Sequence, residues 1–281
     1  MEGGAHEEES FALKARLARA RLLLQLMRCF EHIEAKNFEC GPGPGAICLQ
    51  GMDNAHLSYI SMFLQPNAFD EFECDNYIRL GIDFVSLINI LHCAGENDSI
   101  TIQLLQGSDR INFSLKDPSN QSFKSAFFEL KLLDIDHEYV DPPPDPDLSV
   151  IFKISSAELK RICKKFKLLG DRLRISATED CVIFEAKSEK ECGKAICPCS
   201  EIEIKDKSFT FLEVSLRYMN RFTKGTCLSP TVLMTFGKDI PLSLEYEIFS
   251  LGEGDGVPVG KFRCWLAPFI DEENLDNTQP P

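Results

Sequence analysis

The sequence predicts a duplicated α+β protein, and three observations carry that reading. At 281 residues with 44% hydrophobic content the chain can bury the cores of two domains of ~100 to 150 residues each. An acidic, proline-rich stretch, "LDIDHEYVDPPPDPDLSV" (133–150), divides it into nearly equal halves. Each half then repeats one order of events: an amphipathic helix, alternating strands, a second helix and more strands. The organisation that follows is an acidic extension over 1–12, a first domain over 13–136, a connector over 137–148, a second domain over 149–271 and a polar tail over 272–281.

In the first half, "ARARLLLQLMRCFEHI" (18–33) has helical periodicity, and "AICLQGMDNAHLSYISMFL" alternates as paired strands. The intervening "GPGPG" (41–45) resembles a phosphate loop, but no helix follows it, so a hairpin or loop is the reading. "GIDFVSLINILHCAG" gives a second helix, with Asp83 as N-cap and Gly95 as its stop. In the second half, "SSAELKRICKKFKLLGD" opens on Ser155 with Glu158 three residues on, and closes at Gly170. "RLRISATEDCVIFEAKS" is a hairpin, "FLEVSLRYMNRFTKG" a fourth helix, and "TVLMTFGKDIPLSLEYEI" another hairpin.

The stretch 133–150 holds six acids and Pro142, Pro143, Pro144 and Pro146, which exclude helix and central strand and leave an extended spacer. It nevertheless carries Tyr139 and Val140, apolar residues that an idle linker has no reason to present. Among twelve cysteines, Cys29, Cys93 and Cys163 sit in apolar helical patterns and read as reduced core thiols. The group Cys192, Cys197 and Cys199 leaves two readings, a metal site or thiols in a strand, and its spacing matches no common zinc motif. No cofactor is implied. No GxxxxGK[ST], HExxH or GxSxG is present, and a nuclease built on Asp134 and Asp136 lacks a partnering histidine or second acidic cluster, so the expectation is a protein that is not an enzyme. No apolar run reaches the ~18 residues of a membrane span, and the acidic start is unlike a signal or transit peptide, so a soluble, intracellular protein with no membrane partner is expected.

Charge is the most informative feature. The chain carries −14 overall, which by itself argues against a nucleic-acid partner. The four helical segments 18–33, 84–94, 156–169 and 213–224, however, hold eleven basic and three acidic residues, +8, leaving −22 for everything else. At 100° per residue Leu159, Ile162, Cys163, Phe166 and Leu169 share one side of the third helix, opposite Lys160, Arg161, Lys164, Lys165 and Lys167. Arg217, Arg221 and Lys224 share a face of the fourth helix, and Arg21 and Arg28 a face of the first. A solvated polar face is the bland account of any one helix. Three such faces in an acidic chain point to a polyanionic partner.

At this level the sequence resembles the eukaryotic DNA sliding clamps, the family of proliferating cell nuclear antigen, as a divergent member. "LQGMDNAHLSYISMFL", "FECDNYIRLGIDFVSLINILHCAGENDSITI", "ELKLLDID", "RICKKFKLLGD", "LRYMNRFTKGTCLSPTV", "IPLSLEYEI" and "WLAPFIDEE" follow in family order over nearly the whole chain. The resemblance implies two similar clamp domains with antiparallel sheets outside and two helices each on the inner face. It implies that three subunits form a ring, a homotrimer, that encircles duplex DNA without reading its sequence. It implies a nuclear processivity factor in DNA replication and repair, handled by a clamp loader, that tethers DNA polymerase and other clients through a short hydrophobic docking motif. A subunit of the heterotrimeric checkpoint clamp is the alternative within the fold. The implied DNA contacts are Arg21, Arg28, Lys160, Lys164, Lys165, Lys167, Arg217, Arg221 and Lys224. The implied client pocket is Met52, His56, Leu57, Tyr139, Val140, Pro241, Trp265, Ala267 and Pro268, and the implied subunit interface joins Phe127 and Phe128 to Ala195 and Ile196. A core position for one or both phenylalanines is the competing reading. Departures from the family pattern are Leu24, Gln25, Asn89 and His92 at usual lysine positions, Glu179 at the modified lysine and Trp265 at a usual tyrosine. They place DNA contact by the first domain in question and exclude ubiquitin attachment at 179.

Overall fold

The computed structural model describes residues 10–33, 37–42, 45–119, 125–134, 142–143, 150–198, 202–205, 211–237, 240–250 and 256–269. They fall into two compact units, one of Met1–Gly51, Ser61–Val140 and Ile248–Lys261, the other of Met52–Ile60, Asp141–Glu247 and Phe262–Pro281. Each unit thus includes a short segment from the other half of the sequence. Among the described residues no helix is long and apolar enough to cross a membrane.

The elements of the first half are β1 (Phe11–Leu17), α1 (Ala20–Cys29), β2 (Asn37–Cys40), β3 (Ile47–Met52) and β4 (Ser58–Leu64). They continue with β5 (Glu71–Glu73), β6 (Ile78–Gly81), α2 (Phe84–His92), β7 (Ser99–Leu105), β8 (Arg110–Lys116) and β9 (Ala126–Lys131). The second half repeats the order: β10 (Val150–Ser155), α3 (Ser156–Phe166), β11 (Arg172–Ala177), β12 (Cys181–Lys187) and β13 (Cys192–Pro198). Then come β14 (Ile202–Ile204), β15 (Phe211–Ser215), α4 (Leu216–Phe222), β16 (Thr231–Gly237), β17 (Ile240–Phe249) and β18 (Pro258–Leu266). Strand order repeats as well. The strands of the first half of the sequence run β5-β1-β7-β8-β9 and β6-β2-β3-β4, and those of the second half β14-β10-β16-β17-β18 and β15-β11-β12-β13. The duplication read from the sequence is therefore a duplication of topology.

Local chemistry explains the helix starts. Asp83 accepts the Ser86 amide at 3.1 Å and Ser155 accepts the Glu158 amide at 3.4 Å, the N-caps that the sequence places there. The stops differ. Neither Gly95 nor Gly170 adopts left-handed backbone. Gly95 instead donates its amide to Asp98 Oδ2 at 2.9 Å, inside the α2–β7 turn. The fourth helix is also shorter than its predicted span: 211–215 is strand β15, because buried Leu212 and Val214 alternate with Phe211, Glu213 and Ser215 while Glu213 pairs with Arg174. Period two prevails there over the helical pattern that begins at Leu216.

Each helix lays its apolar face on a sheet. Leu22, Leu23, Leu26 and Met27 are buried on α1, and Leu159, Ile162, Cys163 and Phe166 on α3. Cys29 and Cys163 are core thiols as expected, and burial pushes the Cys163 thiol up to about 12. Cys93 is exposed, because it caps the end of α2 rather than lying inside it. Close strand approach sets one further requirement. In the first unit the Gln65 amide donates to Val259 at 2.8 Å, and a Cβ on Gly260 would stand 2.2 Å from the Phe63 carbonyl oxygen. Gly260→Ala forces backbone apart at that point, and thermal unfolding should show a loss of ~1–3 kcal/mol.

Candidate nucleic-acid interface and docking pocket

The cations of the second unit gather on two adjacent helices. Asn220 of α4 donates through Nδ2 to the Cys163 carbonyl of α3 at 3.1 Å and to Leu216 of its own helix at 2.8 Å, fixing the pair side by side. With apolar faces down, Lys160, Arg161, Lys164, Lys165 and Arg217 are exposed, as is Lys167 at the end of α3. Arg221 is half-buried with its guanidinium 5.3 Å from the centre of the Tyr218 ring, and Lys224 lies in the 3₁₀ turn Thr223–Cys227. Arg161 pairs with Glu158 at 2.5 Å. Among the described residues Lys160, Lys164, Lys165, Lys167 and Arg217 have no ion-pair partner.

The first unit is different. Arg21 is paired with Glu96 at 2.7 Å, and Arg28 lies 3.4 Å from His92 Nε2. Helix α2 contains no lysine or arginine, and Asn89 and His92 are exposed at the positions where the family pattern has lysines. These departures therefore coincide with a face whose remaining positive charge is partly neutralised.

Among the strands that end a sheet, β9 pairs with β8 and β13 with β12, each leaving its other edge open among the described residues. Phe127 is 78% exposed, while Phe128 is half-buried opposite Phe113. On β13 Ile196 is 59% exposed and Ala195 half-buried. Cys192 and Cys197 are five residues apart on the same strand, so their side chains leave opposite faces and do not converge; Cys199 lies outside the described residues.

The second unit also holds the hairpin loop between β3 and β4. Met52, His56 and Leu57 stand there, Leu57 46% exposed, with its carbonyl accepting the Ala267 amide at 2.9 Å. Pro241, Ala267 and Pro268 are half-buried, and Trp265 is buried against Tyr59 with ring centres 5.3 Å apart. Tyr139 and Val140 lie outside the described residues. The loop is organised by a group that the sequence reading did not single out. Asp53, 7% exposed, accepts the Leu57 amide at 3.0 Å, the Ser58 amide at 2.6 Å, the Ser58 hydroxyl at 3.0 Å and the Ala55 amide at 3.3 Å. The Tyr218 hydroxyl of α4 donates to the same carboxylate at 2.6 Å. An aspartate opening a five-residue turn is a local signal for loop capping. Its tyrosine partner, 165 residues away, has no local signal.

Burial alone raises the Asp53 pKa, but the hydrogen bonds from Tyr218, Ser58 and Ala55 outweigh it and hold the carboxyl below its ordinary value. A depressed folded pKa stabilises the fold above the unfolded carboxylate value of ~3.9, and that contribution disappears as pH falls through the folded value. Asp53→Asn should therefore cost ~1–3 kcal/mol at pH 7, and the gap from wild type should narrow in urea titrations at about pH 3.

The same fold recurs in known proteins. The N-terminal domain of proliferating cell nuclear antigen matches residues 12–139 as a family model, and the C-terminal domain matches residues 143–255. Proliferating cell nuclear antigen of Dictyostelium discoideum is 34% identical over 250 residues, covering 85% of this chain and 95% of its own. The crystal structure of the corresponding protein from Entamoeba histolytica aligns with a TM-score of 0.80 at 25% identity, over 92% of this chain and 100% of that one. A duplicated topology with basic helices, matched by both domain models in order, places the chain in the proliferating cell nuclear antigen family of DNA sliding clamps.

Proposed function

We propose that the chain closes as a homotrimer around duplex DNA in the nucleus and holds polymerases and other clients there as a processivity factor, without catalysing a reaction itself. The observation that carries this reading is the set of unpaired cations on α3 and α4 in a chain of net charge −14. Lysines and arginines that meet phosphates without base contacts bind independently of sequence and permit sliding, and an acidic remainder disfavours DNA elsewhere on the molecule. The second unit supplies most of the contact, because Arg21 and Arg28 already have neighbours.

The repeat suggests how the ring closes. β4 and β18 are the counterparts of β13 and β9, and in the first unit residues 61–64 lie beside 258–261. Pairing β9 of one copy with β13 of the next repeats that arrangement between chains and covers both free edges. The contact is heterologous, so three copies close if the rotation is right. Exposed Phe127 and Ile196 and half-buried Phe128 and Ala195 are the side chains it covers. Leu57, with Met52, His56, Pro241, Ala267 and Pro268, offers one wall of the client pocket beside Trp265. Tyr139 and Val140, which the sequence resemblance assigns to the same pocket, lie outside the described residues. A clamp loader opens the ring.

Two measurements test the reading. Replacing Lys164, Lys165, Arg217 and Arg221 with Ala should weaken association with linear duplex, and the slope of log affinity against log salt should become shallower by ~0.9 for each phosphate that is no longer neutralised. Replacing Arg21 and Arg28 should change it far less, and equal behaviour of the two variants would sink the assignment. Phe128→Asp should convert a native mass of three chains to one, because a carboxylate left unpaired in the subunit interface is costly. A wild-type monomer, or a trimeric variant, overturns the proposed closure.

A further inference from the structure

The loop that carries His56 and Leu57 is held in a conformation it does not favour by itself. His56 has a φ of +54°, left-handed backbone that a non-glycine residue adopts at a cost. The loop closes on itself through the Asp53 amide to the Ser58 carbonyl at 3.0 Å and the His56 amide to the Asp53 carbonyl at 2.9 Å, and two contacts reach it from other elements: the Ala267 amide on the Leu57 carbonyl and the Tyr218 hydroxyl on Asp53. Oδ1 takes three donors, the amides of Leu57 and Ser58 and the Ser58 hydroxyl, all from the loop or its closing strand. Oδ2 takes the long 3.3 Å bond from Ala55 and the short 2.6 Å bond from Tyr218. The phenol is thus the strong contact on Oδ2, as the Ser58 amide at 2.6 Å is on Oδ1, and the two together fix the carboxylate plane that receives the Leu57 and Ser58 amides. Tyr218 is itself only 8% exposed and rides on α4, a rigid element, with Arg221 against its ring.

We infer that Tyr218 is a positioning residue for client docking: through Asp53 its hydroxyl holds the 53–58 loop, and so Leu57 and His56, in the shape that receives an apolar helical turn. The inference rests on the client-pocket reading above. Loss of the hydroxyl leaves the aromatic packing in place and frees the loop, so a client must order the loop at the moment it binds.

The test uses the full chain and a synthetic, lysine-flanked peptide with Leu at position i and Phe at i+3 and i+4. Calorimetry compares wild type, Leu57→Ala, Tyr218→Phe, Asp53→Asn and the Tyr218→Phe/Asp53→Asn pair. Tyr218→Phe should bind about tenfold more weakly, the equivalent of one hydrogen bond to a charged group. The double variant should bind no more weakly than Asp53→Asn alone, since both act through one contact. Amide exchange at Leu57 and Ser58 should rise in Tyr218→Phe while β10 and β16 keep their protection. Wild-type affinity in Tyr218→Phe, together with a loss in Leu57→Ala, refutes the positioning role and leaves the pocket standing. A fall in affinity accompanied by faster exchange throughout the second unit also refutes it, by reducing Tyr218 to a stabiliser of the fold. No binding to wild type, or no loss in Leu57→Ala, removes the pocket reading and this inference with it.

Discussion

The packing of each amphipathic helix onto its sheet is the constraint on which the other features depend. Burying Leu159, Ile162 and Phe166 of α3 to 8% exposure or less stabilises the second unit by ~1.5 to 3 kcal/mol per side chain. Once those side chains are down, 3.6-residue geometry leaves Lys160, Lys164 and Lys165 no direction but outward. The charge segregation is thus a consequence of core formation, not an addition to it. Positive charge is held at fixed positions on rigid elements, which suits repeated weak contact with a regular polyanion.

Duplication adds a second constraint. A topology used twice yields the same kinds of strand edge twice, and an edge that pairs in one place is open in the other. β4 and β18 have neighbours in the strand order, whereas their counterparts β13 and β9 end their sheets. Exposed Phe127 and Ile196 on such edges would be an aggregation hazard in a solitary chain. The ring closure proposed above would cover these edges and keep the chain on DNA with the same contact.

The two units differ in charge while sharing the fold. Arg21 and Arg28 are tied to Glu96 and His92, and α2 has no lysine or arginine, whereas most cations of α3 and α4 have no ion-pair partner among the described residues. Surface ion pairs of this kind contribute little to stability, so nothing in the core resists the difference. The charge of one helical face can therefore change without disturbing the architecture of either unit.

The sequence by itself determined whatever depends on residues within a turn or two of one another. The Ser155 and Asp83 caps, the hairpin around 53–57 and the sidedness of α3 were all legible, because periodicity and capping are local. So was the repeat, since it is a property of order along the chain. Boundaries where two local patterns compete were not: strand register with Arg174 claimed 211–215, which reads equally as the first turns of a helix, and the end of α2 exposed Cys93. Tertiary structure alone decided which charges are free. Arg21 meets a glutamate 75 residues away and Tyr218 an aspartate 165 residues away, pairings that no spacing encodes. Hydrogen bonds and ion pairs act over a few ångströms whatever the separation along the chain, so they become visible only when folding has brought the partners together.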